Sequence, residues 1–133
     1  MVRLEKVLIR LEQEETGRLA TVRLLAPGET PGGVIVDLLF ASSGVEPEIV
    51  EAAEQEKILP GFNVPVATTA HLLALKVLAA RPKDLDDIEA LLARATPGDV
   101  QNAREMLALI GKRGCARNKD LLASFGELIA RRF

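Results

Sequence analysis

Aromatic side chains are nearly missing from this chain, which has four Phe and neither Trp nor Tyr. Single-strand nucleic-acid binders stack bases on aromatic faces, so this scarcity argues against that class. Cysteine is as scarce. The lone Cys115 rules out an internal disulfide and a cysteine-based zinc centre, which fits a reducing cytoplasm. His71 is the only histidine, and without a second His or a Cys beside it a capping or surface role is expected rather than a metal ligand. Neither charge sign is in excess: 17 Lys and Arg face 19 Asp and Glu. A basic clamp for polynucleotides is therefore excluded, and any such binding would have to be local. Arg3, Glu5 and Lys6 interrupt the N-terminal apolar residues and no long apolar run follows. We therefore expect no signal peptide, no membrane span and a cytoplasmic location.

What is present is enough for one ordinary domain, 1–133, since 48% of the 133 residues are hydrophobic and can form a core. From Arg3 to Glu12 the pattern fits helix or strand, and the sheet that follows favours strand. Thr16-Gly17 reads as a turn, Arg18 to Leu25 as a second strand, and Pro27 to Gly33 as a breaker-rich loop. Val34 to Ala41 reads as a third strand, and Pro47 as the opening of a helix to about Gln55. Ile58-Leu59 and Val64 to Val66 flank Pro60-Gly61-Phe62-Asn63 as a short edge hairpin. Beyond it the period changes from two to 3.6. Helices are expected from Thr68 or Thr69 to Ala80, ended by Pro82; from about Leu85 to Ala95; from Pro97 to about Lys112; and, capped by Asn118, to near Arg132. The chain reads as α+β: a sheet-rich part, 1–67, with a small, mostly antiparallel sheet and one helix, then a helical part, 68–133, with about four helices.

Asp37 is the conspicuous residue, a carboxylate within the apolar strand from Val34 to Phe40. Burial of such a group carries a desolvation cost that a cation, a base or solvent must offset. Two readings stay open. Folding the strands about the Pro27 to Gly33 loop can bring Arg23 opposite Asp37 as an ion pair, or Asp37 can be a metal-binding carboxylate for Mg²⁺. The second constellation runs from Arg81 through Pro82, Lys83, Asp84 and Asp87. Asp84 suits a helix cap, Asp87 the third helical position, and Lys83 and Asp87 a local pair. Functionally, Lys76, Arg81 and Lys83 are candidates for binding the phosphates of a triphosphate. Elsewhere, Ser42-Ser43-Gly44 can receive a phosphate or form a capped turn, Cys115 is expected to be a plain loop thiol, and Arg131 and Arg132 suit a helix end.

Three stretches carry a family resemblance: Thr16 to Leu24, Val36 to Gly44, and His71 to Lys76 with Arg81-Pro82-Lys83-Asp84 and Asp87-Ile88. Together they resemble the AbiEii-type nucleotidyltransferases of the DNA polymerase β-like nucleotidyltransferase superfamily, which include toxins of type IV toxin–antitoxin systems. The resemblance implies metal-assisted transfer of NMP from an NTP to an acceptor hydroxyl on RNA or protein. It further implies that Asp37 is the third acid of the site, with a catalytic and metal-binding role. Lys76, Arg81 and Lys83 are then phosphate contacts, and Asp84, Asp87 and Arg23 are orienting or capping residues. Such families place a Gly-Gly or Gly-Ser helix start and a strand-borne Asp-x-Asp before that acid, and neither precedes Asp37 here. One carboxylate binds Mg²⁺ weakly and cannot clamp two ions. The expectation is a nucleotidyltransferase-like domain that is incomplete or inactive as this chain alone, becoming an enzyme only if the metal-binding segment is supplied. The alternative is a non-catalytic nucleotide-binding or protein-interaction remnant of that fold. A purely structural module, its acids serving as caps and ion pairs, is a third. An exposed sheet edge is expected to recruit a second copy or a separate partner protein.

Overall fold

A computed structural model describes residues 7–13, 19–26, 33–39 and 41–132. The order of elements is β1 (Val7–Gln13), β2 (Leu19–Ala26), β3 (Val34–Leu39), α1 (Glu46–Glu51), β4 (Glu54–Leu59), β5 (Phe62–Val66), α2 (Thr69–Ala79), α3 (Pro82–Arg94), α4 (Pro97–Lys112) and α5 (Leu121–Ala130). The class is α+β, strands first and helices second, as the change of hydrophobic period indicates. The Thr16-Gly17 turn and most of the Pro27 to Gly33 loop lie outside the described residues. No described helix is long and apolar enough to cross a membrane.

The chain divides into two compact units, Met1–Ser42 and Ser43–Phe133. In the first, β1, β2 and β3 form an antiparallel sheet in that order. The β2–β3 register is regular and sets Arg23 directly opposite Asp37. The β1–β2 register shifts between Leu8 and Arg10 and again between Glu12 and Gln13, which marks bulges or similar irregularities. Among the described residues β3 pairs only with β2, and its side chains Val34, Ile35, Leu38 and Leu39 are exposed, Asp37 with them. The expectation of a buried Asp37 is thus corrected. An apolar run indicates burial only where other layers cover both faces of the sheet.

The second unit is built around α2, which packs against α3, α4 and α5. Its side chains Ala70, His71, Leu73, Ala74, Val77 and Leu78 are all buried, so this helix is apolar over most of its surface. Val45, Ile88, Leu107, Ile110 and Phe125 complete the centre of the core. Helix starts follow local chemistry. Thr68 caps α2 by accepting a bond from His71 N at 3.2 Å. At α4, Thr96 and Asp99 bond reciprocally, with Thr96 N to Asp99 Oδ2 at 2.8 Å and Asp99 N to Thr96 Oγ1 at 3.1 Å, and Pro97 follows the cap.

Several boundaries differ from the sequence reading: β3 ends at Leu39 rather than Ala41 and β5 begins at Phe62, and three others have a clear local cause. Pro82 opens α3 instead of merely ending α2, because Arg81 takes the extended cap conformation and a proline at the first helical position loses no bond. Asp120, not Asn118, caps α5: its Oδ1 accepts from Ala123 N at 3.0 Å, while Asn118 sits at φ 59 in the preceding turn, where asparagine is tolerated. Helix α1 stops at Glu51, short of Gln55, because Glu54 and Gln55 pair with Val66 and Pro65 and become strand β4. Ahead of α1, Gly44 has φ 78, and a Cβ there would stand 2.7 Å from Cys115 Sγ, so both conformation and space demand glycine.

Candidate functional site

Among the described residues, a dense charge cluster lies where α2 hands over to α3. The last turn of α2 presents Lys76, the chain turns through Ala80 in the left-handed conformation at φ 48, and Arg81 begins the next helix. Asp84, at the third position of α3, points back toward this turn. Arg81 N donates to Asp84 Oδ2 at 3.1 Å, and Asp84 N donates to the Arg81 carbonyl at 2.8 Å. A guanidinium has no acceptor, so the main-chain carbonyl completes the reciprocal cap.

The Asp84 side chain is 0% exposed, and it receives charge from two sides. Arg81 grips it with Nε to Oδ2 at 2.7 Å and Nη2 to Oδ1 at 3.0 Å. Lys76 Nζ reaches Oδ1 at 3.0 Å. The guanidinium of Arg81, helped by Lys76 and the Arg81 amide, holds the Asp84 carboxyl far below the usual carboxylate range, against its burial. Lys76 Nζ also donates to Asp87 Oδ2 at 2.7 Å, and Asp87 and Asp84 together push the ammonium pKa up. Arg81 is likewise raised by Asp84. The cluster therefore carries two positive and two negative charges around one sealed carboxylate. Asp87 and Arg81, with 55% and 54% of their side chains exposed, are the members facing water.

The first unit holds a separate pair. Arg23 Nε donates to Asp37 Oδ1 at 2.7 Å and Nη2 to Asp37 Oδ2 at 2.8 Å, the bidentate fork that cross-strand register makes possible. That guanidinium lowers the Asp37 pKa, so the carboxylate is ionised near neutrality. Both oxygens point at a cation already. At this position a divalent ion would meet an occupied carboxylate with a positive neighbour, so the described residues do not fit Mg²⁺ here. Among the described residues no three His, Cys, Asp or Glu side chains converge as metal ligands.

Of the residues singled out in the sequence, Lys76, Arg81, Asp84 and Asp87 come together, and Arg23 and Asp37 form the second pair. Lys83 is exposed and joins neither, because Lys76 has taken the Asp87 partner expected for it. Ser43 is buried, with its N and Oγ both donating to Glu46 Oε1, so Ser42-Ser43-Gly44 is a capped turn. His71 is buried, not at the surface. Its amide serves the Thr68 cap, its Nδ1 has no hydrogen-bond partner, and desolvation depresses its pKa against the opposing pull of Glu48. The sequence reading missed two long-range contacts. Arg113 ties Glu48 and the Gly44 carbonyl to the end of α4, and Lys119 Nζ donates to the Leu78 carbonyl at 2.7 Å near the end of α2. These partners lie 41 to 69 residues apart, and no local pattern announces them. No protein-family model matches the chain, and the curated proteins searched contain no match to it.

Proposed function

We propose that this chain is a nucleotidyltransferase-type domain that binds an NTP through its phosphates and, acting alone, transfers NMP to an acceptor hydroxyl poorly or not at all. The observation that carries the reading is Lys76 Nζ, bonded at once to a sealed carboxylate, Asp84, and to an exposed one, Asp87. Asp84 is a permanent anchor that keeps the ammonium charged and in place. Asp87 is an exchangeable counter-ion: a phosphate oxygen arriving from solvent can take its position on Lys76, and Arg81 adds a second cation to the same turn. In this reading Asp37, kept ionised by Arg23, keeps only the acceptor-activating part of the role that the AbiEii resemblance implies and holds no metal ion. Mg²⁺ enters with the NTP, as its ordinary aqueous complex, and the acceptor is an RNA or protein hydroxyl in the cytoplasm.

A second reading draws on a different observation. The bidentate Arg23–Asp37 clasp engages both oxygens of Asp37, and β3 exposes Val34, Ile35, Leu38 and Leu39. Those features suit a non-catalytic member of the fold that binds nucleotide or pairs through its strand edge with a second copy or another protein. Incubation with α-labelled NTPs, Mg²⁺ or Mn²⁺ and bulk RNA or protein separates the two, read beside thermal stability with each nucleotide. Stabilisation without label transfer supports the non-catalytic reading; stabilisation with transfer that Asp37→Asn abolishes supports the enzyme. No stabilisation by any NTP at millimolar concentration defeats both nucleotide readings.

A further inference from the structure

Two surface features of the second unit stand apart from the ion cluster. One is the β4–β5 hairpin. Its strands pair with each other and have no extensive contact with another element among the described residues, and an isolated two-stranded hairpin is marginal in water. In β5, Phe62, Val64 and Val66 alternate onto one face, and the register sets Glu56 opposite Val64 and Glu54 opposite Val66. That face is an apolar row bordered by carboxylates, with Phe62 57% exposed.

The other feature is a groove between α3 and α5, a cavity of about 180 Å³. Leu85, 46% exposed, and the half-buried Leu128 form its apolar wall, with the buried core residues Ile88 and Leu92 at its floor. Arg131 and Arg132, the latter already with an interaction partner, lie at its border beside the carboxylate of Glu89. Hairpin and groove have no lining residue in common. They are complementary in both respects that matter for docking: an apolar projection bordered by acids, and an apolar recess bordered by guanidinium groups.

We propose that the hairpin of one copy of this chain docks in the α3–α5 groove of a second copy, with Phe62 entering the recess and Glu54 and Glu56 meeting Arg131 and Arg132. The contact joins two different surfaces and is therefore heterologous. It is independent of the nucleotide reading and uses a surface other than the β3 edge.

Sedimentation velocity on the full chain tests it. The expected result for wild type is a concentration-dependent mass above that of one 14.3 kDa chain, falling as salt is raised because the charged border is screened. Phe62→Glu, and separately Arg131→Glu with Arg132→Glu, weaken association about tenfold or more. An equimolar mixture of those two variants regains a dimer, since each copy keeps one intact surface. Combining Glu54→Lys and Glu56→Lys with the arginine reversals in one chain also restores association. A wild type that stays monomeric to roughly 100 µM, well above the dissociation constant of a functional contact, overturns the proposal. So do variants that associate like wild type, or a mixture that remains monomeric.

Discussion

Replacing Asp84 with asparagine keeps the shape of the side chain and removes its charge, which isolates what the sealed carboxylate contributes. In the native fold its oxygens accept four bonds, three from charged groups of Lys76 and Arg81 and one from the Arg81 amide. Asparagine offers one acceptor oxygen and turns an NH₂ donor toward cations that also donate. Removing one partner of a buried ion pair costs about 3 to 5 kcal/mol. Lys76 keeps Asp87, and the Lys76 and Arg81 side chains, 30% and 54% exposed, can rehydrate, so the low end, about 3 kcal/mol, applies. For a cooperative unit the size of Ser43–Phe133 that is a fall in Tm of roughly 10 to 20 °C. Thermal melts at pH 7 followed by far-UV circular dichroism measure it, with Asp87→Asn as the control, expected to cost about 0.5 kcal/mol because that carboxylate faces solvent. A drop for Asp84→Asn below about 3 °C, or one no larger than the control's, refutes the reasoning. The same carboxylate gives an acid signature. Its folded pKa lies below its ordinary value of 3.8, so the unfolded chain takes up the proton first. Its contribution is complete above that value and is lost as pH falls below it.

Two further outcomes follow from single residues. His71 has a folded pKa below its ordinary 6.5 because burial disfavours the imidazolium, so stability is full above pH 6.5 and declines as pH falls below it; His71→Gln flattens that slope in melts between pH 7.5 and 5, and an unchanged slope contradicts the burial account. Gly44→Ala costs about 1 to 3 kcal/mol, from the left-handed backbone and the clash with Cys115 Sγ together, and adding Cys115→Ala recovers part of that loss in chemical denaturation while the backbone share remains.

The order of elements was legible because the apolar period switches near Thr68, and the Thr68 cap, one of two threonines the sequence offered, follows from hydroxyl chemistry; the Thr96 cap was not read from the sequence. The Arg23–Asp37 pair was legible as well, since two strands joined by one loop put residues of matching parity opposite each other. The identity of the buried carboxylate was not. Pattern pointed to Asp37 because its neighbours are apolar, yet the acid with no solvent access is Asp84, whose neighbours Lys83, Leu85, Asp86 and Asp87 are all exposed. Burial there comes from packing α3 against α2, an event eight residues from Lys76 in sequence that no local alternation records. The Glu48–Arg113 tie is hidden for the same reason, at a separation of 65 residues.

The claim on which the functional account turns is that Asp87 is an exchangeable counter-ion on Lys76. Titration calorimetry of Mg·ATP into wild type and Asp87→Asn, at one fixed low salt, addresses it directly. The account predicts measurable binding by wild type and roughly 2- to 5-fold tighter binding by Asp87→Asn, the variant having lost the carboxylate that competes with phosphate. Equal affinities, weaker binding by the variant, or no heat from either protein contradicts it.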